Sequence, residues 1–295
     1  MSHPIIGDNL LSLINIRKDK ENETREFYKN KVVIITGASM GIGKGLSLTL
    51  SQYGTKLALC ARSADLLESL AQECKLKGAQ DAIAITCDVT DQNDCKKAVE
   101  KTLQAFGGID VLMLNAGISG SQPFQEMTDL SVFDKMMQVN FKGYVNFTFH
   151  ALPHLKKSQN GRIGVMSSMS GLIGVPYRTA YCSSKYAVNG FFEVLRNELG
   201  KDSTLKITVM CPGWVDTDIR SRHVLKDNND SQYKDKSKFM SVEDCVNGTL
   251  YAVAIGKRDE RFQMLPRIIP LIKAVSAKTV DGIISKYVSG TPSKL

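Results

Sequence analysis

The stretch from Lys31 to Gly54, KVVIITGASMGIGKGLSLTLSQYG, narrows the possible folds more than any other part of the chain. KVVIIT is the continuous apolar run of a strand buried on both faces, and KGLSLTLSQYG carries helical spacing. Between them stand Gly37, Gly41 and Gly43, with Ala38, Ser39, Met40 and Ile42 in the same turn. Strand, glycine turn and helix in that order make a phosphate-binding βα unit. Glycine lets the backbone approach a pyrophosphate, and the helix N-terminus offers unpaired N–H groups and a positive dipole end. The spacing is GxxxGxG, not GxGxxG, so the motif draws its weight from its strand-to-helix context.

The pattern then repeats. LALCA, DAIAITC, IDVLMLNAG, Arg162 to Ser167 and LKITVMC read as five further strands. Helical segments alternate with them: ADLLESLAQECKLKG, a segment capped by Thr90 or Asp91 and stopped at Gly107, Leu130 to Lys157, and about Thr179 to Leu199. This alternation predicts an α/β fold with a single doubly wound parallel sheet, helices on both faces and no separate catalytic domain. Ligands of such sheets bind outside the carboxyl ends of the strands, which brings forward Asp88 and Val89, Asn115 to Gly117, and Pro212 to Trp214. The end of the second strand is where an acidic residue would bond the ribose hydroxyls of NAD. Here Arg62 and Ser63 follow Ala61, with no carboxylate to repel a phosphate and a guanidinium to bind one, so NADP is expected over NAD. Ser63 is also placed to cap the next helix.

The fifth strand delivers Ser168, and Tyr181-Cys182-Ser183-Ser184-Lys185 follows thirteen residues on. On a helix Tyr181 and Lys185 are i and i+4 neighbours on one face. A free tyrosine has a pKa of about 10, so a neutral-pH proton donor needs it lowered by roughly 2–3 pH units, or ~3–4 kcal/mol. One positive charge ~5 Å away at an effective dielectric of ~20 supplies about 3 kcal/mol. Lys185 together with an oxidised nicotinamide is therefore expected to suffice, with Ser168 donating a second hydrogen bond to the same substrate oxygen. His150 and His154 also stand at i and i+4, but Pro153 lies between them and no third ligand suggests itself, so no metal site is expected.

Composition excludes several classes. With 295 residues, 43% hydrophobic and 23% charged, the chain can bury a full core and is not disordered. The net charge is +8, and residues 250–295 hold eight Lys/Arg against three Asp/Glu. No basic cluster interleaves with aromatics, so nucleic acid is not expected as a partner. Seven cysteines form no CxxC pair, and with no secretory signal peptide a reduced compartment is favoured. No apolar run approaches the ~18 residues that span a bilayer.

The ends are read separately from the core. Residues 1–30 are an N-terminal extension, a frayed tail or a small docked helix, and residues 31–260 form the cofactor-binding catalytic domain. Thr217 to Met240 is polar and aperiodic, a lid or a disordered loop, and Ser241 caps the helix after it. Residues 261–295 are an amphipathic segment. Ile268, Leu271, Ile272 and Val275, then Val280, Ile283, Ile284 and Tyr287, keep helical spacing with lysines between. They suit core or dimer packing, a hydrophobic substrate wall, or a peripheral contact with a membrane surface. The chain ends in Ser293-Lys294-Leu295, a tripeptide address read by the peroxisomal import receptor. A peroxisomal location is expected from it, with a cytoplasmic or peripheral-membrane one as the alternative.

Taken together, TGASMGIG (Thr36–Gly43), Asp88, NAG (Asn115–Gly117), Asn140, Ser168, Tyr181-xxx-Lys185 and Pro212-Gly213 resemble the short-chain dehydrogenase/reductase family, continuously from about Lys31 to Val215. The resemblance implies a Rossmann fold with Tyr181 as general acid/base. Lys185 would hold the nicotinamide ribose and lower the tyrosine pKa, Ser168 would position the carbonyl, and Asn140 would support a proton relay. Asp88, with Val89, would meet adenine; Asn115, with Ala116 and Gly117, the adenosine side; Pro212, Gly213, Val215 and Thr217 the nicotinamide end. Met40 stands where many NADP-using members carry a basic residue, so the NADP expectation rests on Arg62. VPYRTAYCSSKYAVNGFFEVLRNEL is most similar to the branch of 11β-hydroxysteroid dehydrogenase and dehydrogenase/reductase member 7, whose substrates are steroids, retinoids and lipid ketones. The implied activity is reduction of a lipid-like carbonyl, a steroid, a retinoid or an acyl- or alkyl-dihydroxyacetone phosphate, by a homodimer or tetramer. A peroxisomal enoyl-CoA reductase and an inactive cofactor-binding regulator are the alternatives; both commonly lose the Ser/Tyr or Tyr/Lys pattern that this chain keeps.

Overall fold

Residues 5–201, 203–217 and 239–289 are described by the computed structural model. The six expected strands are β1 (Val32–Thr36), β2 (Lys56–Ala61), β3 (Asp81–Thr86), β4 (Val111–Leu114), β5 (Arg162–Met166) and β6 (Lys206–Met210). A short seventh, β7 (Asp259–Glu260), which has no apolar run to announce it, joins the edge. They form one sheet, parallel at every pairing, in the order β3-β2-β1-β4-β5-β6-β7. Winding proceeds outward from β1 to β3 and then reverses to β4. The carboxyl ends of β1 and β4 therefore flank the crevice where a doubly wound sheet binds its ligand.

The strands are apolar without interruption because both faces are covered. Val33, Ile35, Val111 and Met113 point into one core with α2 (Gly41–Ser51), α3 (Ala64–Leu76) and α8 (Val242–Ala254). Ile34, Leu112 and Leu114 point into the other with α4 (Gln92–Phe106), α6 (Gly143–Leu155) and α7 (Thr179–Leu199). Asp91 rather than Thr90 caps α4, accepting from the Asn93 and Asp94 amides, and Gly107 at φ 78° ends it. Ser241 caps α8 through the Asp244 amide at 3.0 Å.

Three expectations change. The N-terminal extension is the docked helix of the two alternatives, though a long one of 24 residues, α1 (Ile5–Tyr28). Tyr28 anchors it, fully buried, with its hydroxyl donating to the Leu250 carbonyl of α8. The single helix expected over Leu130 to Lys157 is α5 (Ser131–Met136), a π-helical turn (Met137–Lys142) and α6 in unbroken sequence. The C-terminal segment forms α9 (Met264–Val275) and α10 (Ala277–Ser289). On α10 Val280 and Ile284 are buried as their spacing implies. On α9 Pro266 and Ile269 are buried, Ile269 one step out of register with the expected row, and Ile268, Leu271 and Val275 face outward. Lys273 reaching back to the Leu172 carbonyl is part of what fixes that rotation. Of the loop expected over Thr217 to Met240, residues 218–238 lie outside the described residues, as do Ser293, Lys294 and Leu295. Val215 and Met240 at the loop's ends form a parallel β-bridge. Among the described residues no helix is long and apolar enough to cross a membrane.

Candidate active site

A cleft of about 840 Å³ opens over the carboxyl ends of β1, β4, β5 and β6. One half is built by the glycine turn. Gly37 adopts φ +65° against the β4 end, where a Cβ would lie 2.8 Å from the Ala116 Cα. A Cβ on Gly43 would come 2.1 Å from the Gly37 carbonyl, so only glycine closes the turn. Thr36 and Asn115 lock it: Thr36 Oγ1 accepts from the Asn115 and Ala116 amides, and Asn115 Nδ2 donates to the Thr36 and Gly37 carbonyls. The amide nitrogen of Asn115 is thus engaged in holding the turn. Met40 stands at the N-cap of α2 without a side-chain cap, and the first turn holds no acidic residue. Its N–H groups and dipole are matched to an anion, which fits the pyrophosphate of a dinucleotide.

Arg62 and Ser63 extend this half at the end of β2, exposed and lining the cleft. Ser63 occupies the N-cap position of α3, yet its hydroxyl makes no cap bond, contrary to expectation. Asp88 follows β3 and is fixed as a turn, its Oδ1 accepting from the Thr90 amide and hydroxyl at 2.9 and 2.8 Å. Val89 beside it packs where a Cβ on Gly143 would clash at 2.7 Å.

The other half comes from β5, α7 and the β6 end. Ser168 follows β5 and Tyr181 starts the second half-turn of α7, both in the wall of the cleft. Tyr181 is partly buried, its remaining exposure facing the cleft. Its pKa is raised: enclosure outweighs the pull of Arg178 and of the hydrogen bond with Ser168. In the protein alone Lys185 is not among the groups that pull it down. The Lys185 ammonium is itself buried and donates to the Met166 carbonyl at 2.9 Å, 5.8 Å from the Tyr181 ring centre. Burial brings its own pKa down from 10.5 to about 8. Pro212, Gly213, Val215 and Thr217 close the far rim. The Pro212 carbonyl accepts from the Met169 amide at 2.8 Å, and Thr217 faces the turn across 3.6 Å from a Cβ built on Gly41.

Of the catalytic and cofactor-binding residues expected from sequence, Gly43 and Asn140 stand behind the wall and the others line it. Asn140 is fully buried in the π-helical turn. Its Oδ1 accepts from the Ile118 amide at 2.8 Å, and its Nδ2 donates to the Ile118 carbonyl and to Ser184 Oγ, each at 3.0 Å. It ties the loop after β4 to α7, one residue from Lys185. Gly117 keeps that corner open: a Cβ there would lie 3.3 Å from Asn140 Oδ1 and 3.9 Å from Lys185 Nζ. Sequence reasoning gave no role to Arg178 or to the Trp214 side chain, which also line the cleft. Their signal was position alone: Arg178 lies one turn before Tyr181, and Trp214 directly follows Pro212-Gly213.

A dinucleotide cradle and a Ser–Tyr–Lys group facing each other across one cleft define a dehydrogenase of the doubly wound type. Comparison with known proteins agrees. The short chain dehydrogenase family model matches residues 31–228. The chain is 41% identical over 267 residues to 11-beta-hydroxysteroid dehydrogenase-like 2 of Arabidopsis thaliana, covering 88% of this chain and 82% of that protein. It is 34% identical over 272 residues to dehydrogenase/reductase SDR family protein 7-like of Dictyostelium discoideum, covering 90% and 84%. Among solved structures, the alcohol dehydrogenase of Thermococcus sibiricus complexed with 5-hydroxy-NADP superposes with a TM-score of 0.68 at 27% identity, over 79% of this chain and 95% of that one. A short chain dehydrogenase/reductase of Burkholderia phymatum in complex with NAD shares the fold at a TM-score of 0.75 and 22% identity, over 91% and 98%. The chain belongs to the short-chain dehydrogenase family and is an oxidoreductase acting on CH–OH donors.

Proposed function

We propose that the protein interconverts a carbonyl and a secondary alcohol with NADP(H), on a lipid-like substrate of the steroid, retinoid or acyl/alkyl-dihydroxyacetone phosphate kind. The observation that carries this reading is the placement of Ser168, Tyr181 and Lys185 in the same cleft as the glycine turn. The Gly37–Gly43 turn and the α2 N-terminus would hold the pyrophosphate, Arg62 and Ser63 the 2′-phosphate, and Asp88 and Val89 the adenine. Lys185 would bind the nicotinamide ribose, with Pro212 to Thr217 at the nicotinamide end. Among the described residues no carboxylate pairs with Arg62, which favours NADP over NAD. The reduced nucleotide, when bound, supplies the hydride that reaches the carbonyl carbon.

Tyr181 supplies the proton. Its O–H bond breaks as the substrate oxygen gains the hydrogen, leaving an alcohol and a tyrosinate. Ser168 holds the same oxygen, stabilising the charge that develops on it. Arg178 and Lys185 stabilise the tyrosinate as nearby cations. Asn140 acts through others, fixing α7 against the loop after β4 so that Lys185 and Tyr181 keep their separation.

The same reading places the protein in the peroxisome through Ser293-Lys294-Leu295, delivered by the import receptor, and makes it a homodimer or tetramer. The outward apolar row Met264, Ile268, Leu271 and Val275 is the surface open to a second copy or to peripheral membrane contact. The test is a panel of ketones and aldehydes followed by NADPH absorbance, with Tyr181→Phe as control. The variant should bind NADPH as wild type does and lose turnover by about 10³-fold, within the range of general acid catalysis. Undiminished turnover in Tyr181→Phe would refute the proton-donor role.

A further inference from the structure

Ser168 has to hold its hydroxyl at one point of the cleft, yet it stands where β5 gives way to a loop. A group misplaced by about 1 Å at a reacting atom can cost on the order of 10²-fold in rate. Whatever fixes Ser168 is therefore part of the chemistry. Within the loop, the Ser170 amide donates to Ser168 Oγ at 3.1 Å, and the Gly171 amide donates to the Ser168 carbonyl at 2.9 Å. These bonds shape the turn Met169–Gly171 and leave the Ser168 hydroxyl to donate into the cleft. They do not relate it to Tyr181.

Two further bonds do. Asn189 lies on α7 one turn after Lys185 and two after Tyr181, along the same side of the helix. Its side chain straddles the turn. Oδ1 accepts from the Ser167 hydroxyl at 2.6 Å, and Nδ2 donates to the Gly171 carbonyl at 2.8 Å. The residue before Ser168 and the last residue of its turn are thus fastened to one amide, on the helix that carries Tyr181 and Lys185. Chemistry sets the orientation of that amide. The Gly171 carbonyl can only accept, so Nδ2 has to face it, and the Ser167 hydroxyl is free to donate to Oδ1.

The clamp is packed as closely as backbone allows. A Cβ on Gly171 would meet Asn189 Nδ2 at 2.7 Å, and the Lys185 carbonyl and Ser167 Oγ each at 2.9 Å. Ser167 is buried, and its own amide donates to the Met210 carbonyl at 2.8 Å, so that arm is anchored in the sheet. Helix propensity does not place an asparagine here. Asn189 and Gly190 are both poor helix formers inside a 21-residue helix, and the side-chain bonds are what offset the first of them. Asn140 makes the corresponding tie for the loop after β4, through Ser184, and its bonds do not reach Ser168.

We propose that Asn189 is a positioning residue for the reduction: it fixes the Ser168 hydroxyl relative to the Tyr181 hydroxyl, so that both meet the same substrate oxygen. This rests on the reductase reading and deepens it by one residue outside the cleft wall. Asn189 touches neither substrate nor cofactor and acts through Ser168.

Its effect on turnover should therefore vanish once Ser168 has no hydroxyl, whereas a general loss of stability would persist, and a double-mutant cycle separates the two. NADPH oxidation by the full-length protein is followed with 9,10-phenanthrenequinone, an activated apolar diketone, and with the ketone of the panel above that wild type reduces fastest. Asn189→Leu removes both bonds and should lower kcat about 30-fold while the Kd for NADPH stays within about twofold. Asn189→Asp keeps the acceptor for Ser167 and loses the donor to Gly171; it should lower kcat about tenfold and carries the test if Asn189→Leu does not fold. In a Ser168→Ala background either change should alter kcat by less than about twofold. Independently of turnover, hydrogen exchange of the segment 167–172 should be about tenfold faster in the Asn189 variants. Equal losses of kcat in the two backgrounds, undiminished kcat in the Asn189 variants, or unchanged exchange overturns the proposal. A wild type that oxidises NADPH with none of these ketones retires the reductase reading, while the exchange rates still decide whether Asn189 holds the turn.

Discussion

Replacing Lys185 by methionine should stabilise the protein at neutral pH while abolishing its activity. Lys185 is 4% exposed, and burial takes its pKa from 10.5 down to about 8. Below pH 8 the lysine is charged in folded and unfolded chains alike, and the folded state bears the full cost of burying it. Between pH 8 and 10.5 the unfolded chain still holds the proton and the folded one has released it, so stability from this group rises with pH. At about 1.36 kcal/mol per pH unit, the cost at pH 7 is about 3 kcal/mol. Methionine keeps the unbranched stem beside the Tyr144 and Tyr181 rings and removes the charge. The Met166 carbonyl keeps the Tyr144 hydroxyl as donor at 3.0 Å, so the loss there is about 1 kcal/mol for one hydrogen bond. The net gain is about 2 kcal/mol at pH 7, or about 3 °C in Tm for a chain of this length. Urea denaturation of both proteins at pH 7 and pH 10, without cofactor, measures it. The variant should be the more stable by about 2 kcal/mol at pH 7 and within about 0.5 kcal/mol of wild type at pH 10, where the residual cost of the lysine and the lost hydrogen bond nearly cancel. A stability difference that stays the same at both pH values would refute the reasoning, because only titration of Lys185 makes it change.

Three further outcomes are expected. Arg62→Glu should weaken NADPH binding by about 100-fold and leave NADH binding unharmed, measured by fluorescence titration of both; an equal loss for the two would detach Arg62 from the 2′-phosphate. Gly43→Ala places a Cβ 2.1 Å from the Gly37 carbonyl and 2.7 Å from Asn115 Nδ2, so cofactor binding should be lost and stability should fall by about 3 kcal/mol or more. A wild-type Tm in that variant would mean the turn relaxes around the methyl. Tyr28→Ala empties the socket that anchors α1 against α8 and should cost about 3–5 kcal/mol in chemical denaturation, whereas a change below about 1 kcal/mol would make α1 an appendage.

The sheet was legible in the sequence because its strands are apolar on both faces and its helices amphipathic, two patterns that burial imposes directly. The glycine turn was legible because Gly37 and Gly43 admit no Cβ. Asp259 and Glu260 form a strand by pairing with Val209 and Met210, a tertiary cause with no local signature. The rotation of α9 escaped for a related reason. Its sequence is apolar nearly all round, MLPRIIPLIKAV, so spacing alone leaves open which row is buried, and contacts with the α7 region decide it. Residues of the cleft were found where they follow a strand. Arg178 was passed over because it follows a left-handed turn at Tyr177, φ +65°, and φ values are not written in residue types.

The site's electrostatics could not be read from spacing either, and here the structure reverses the simplest expectation. Placing a lysine one turn from a tyrosine suggests that the cation acidifies the phenol. Inside the cleft, burial acts on both groups and penalises whichever form is charged: it holds the proton on Tyr181 and loosens it from Lys185. The protein alone therefore favours the neutral phenol, which is the form that can give a proton away. The buried ammonium is destabilised until negative charge is generated nearby. A substrate oxygen turning into an alkoxide, or a phenol turning into a tyrosinate, is charge of that kind. The cation costs stability in the resting protein and returns it as the charge develops, so the stabilisation falls on the transition state rather than on the ground state.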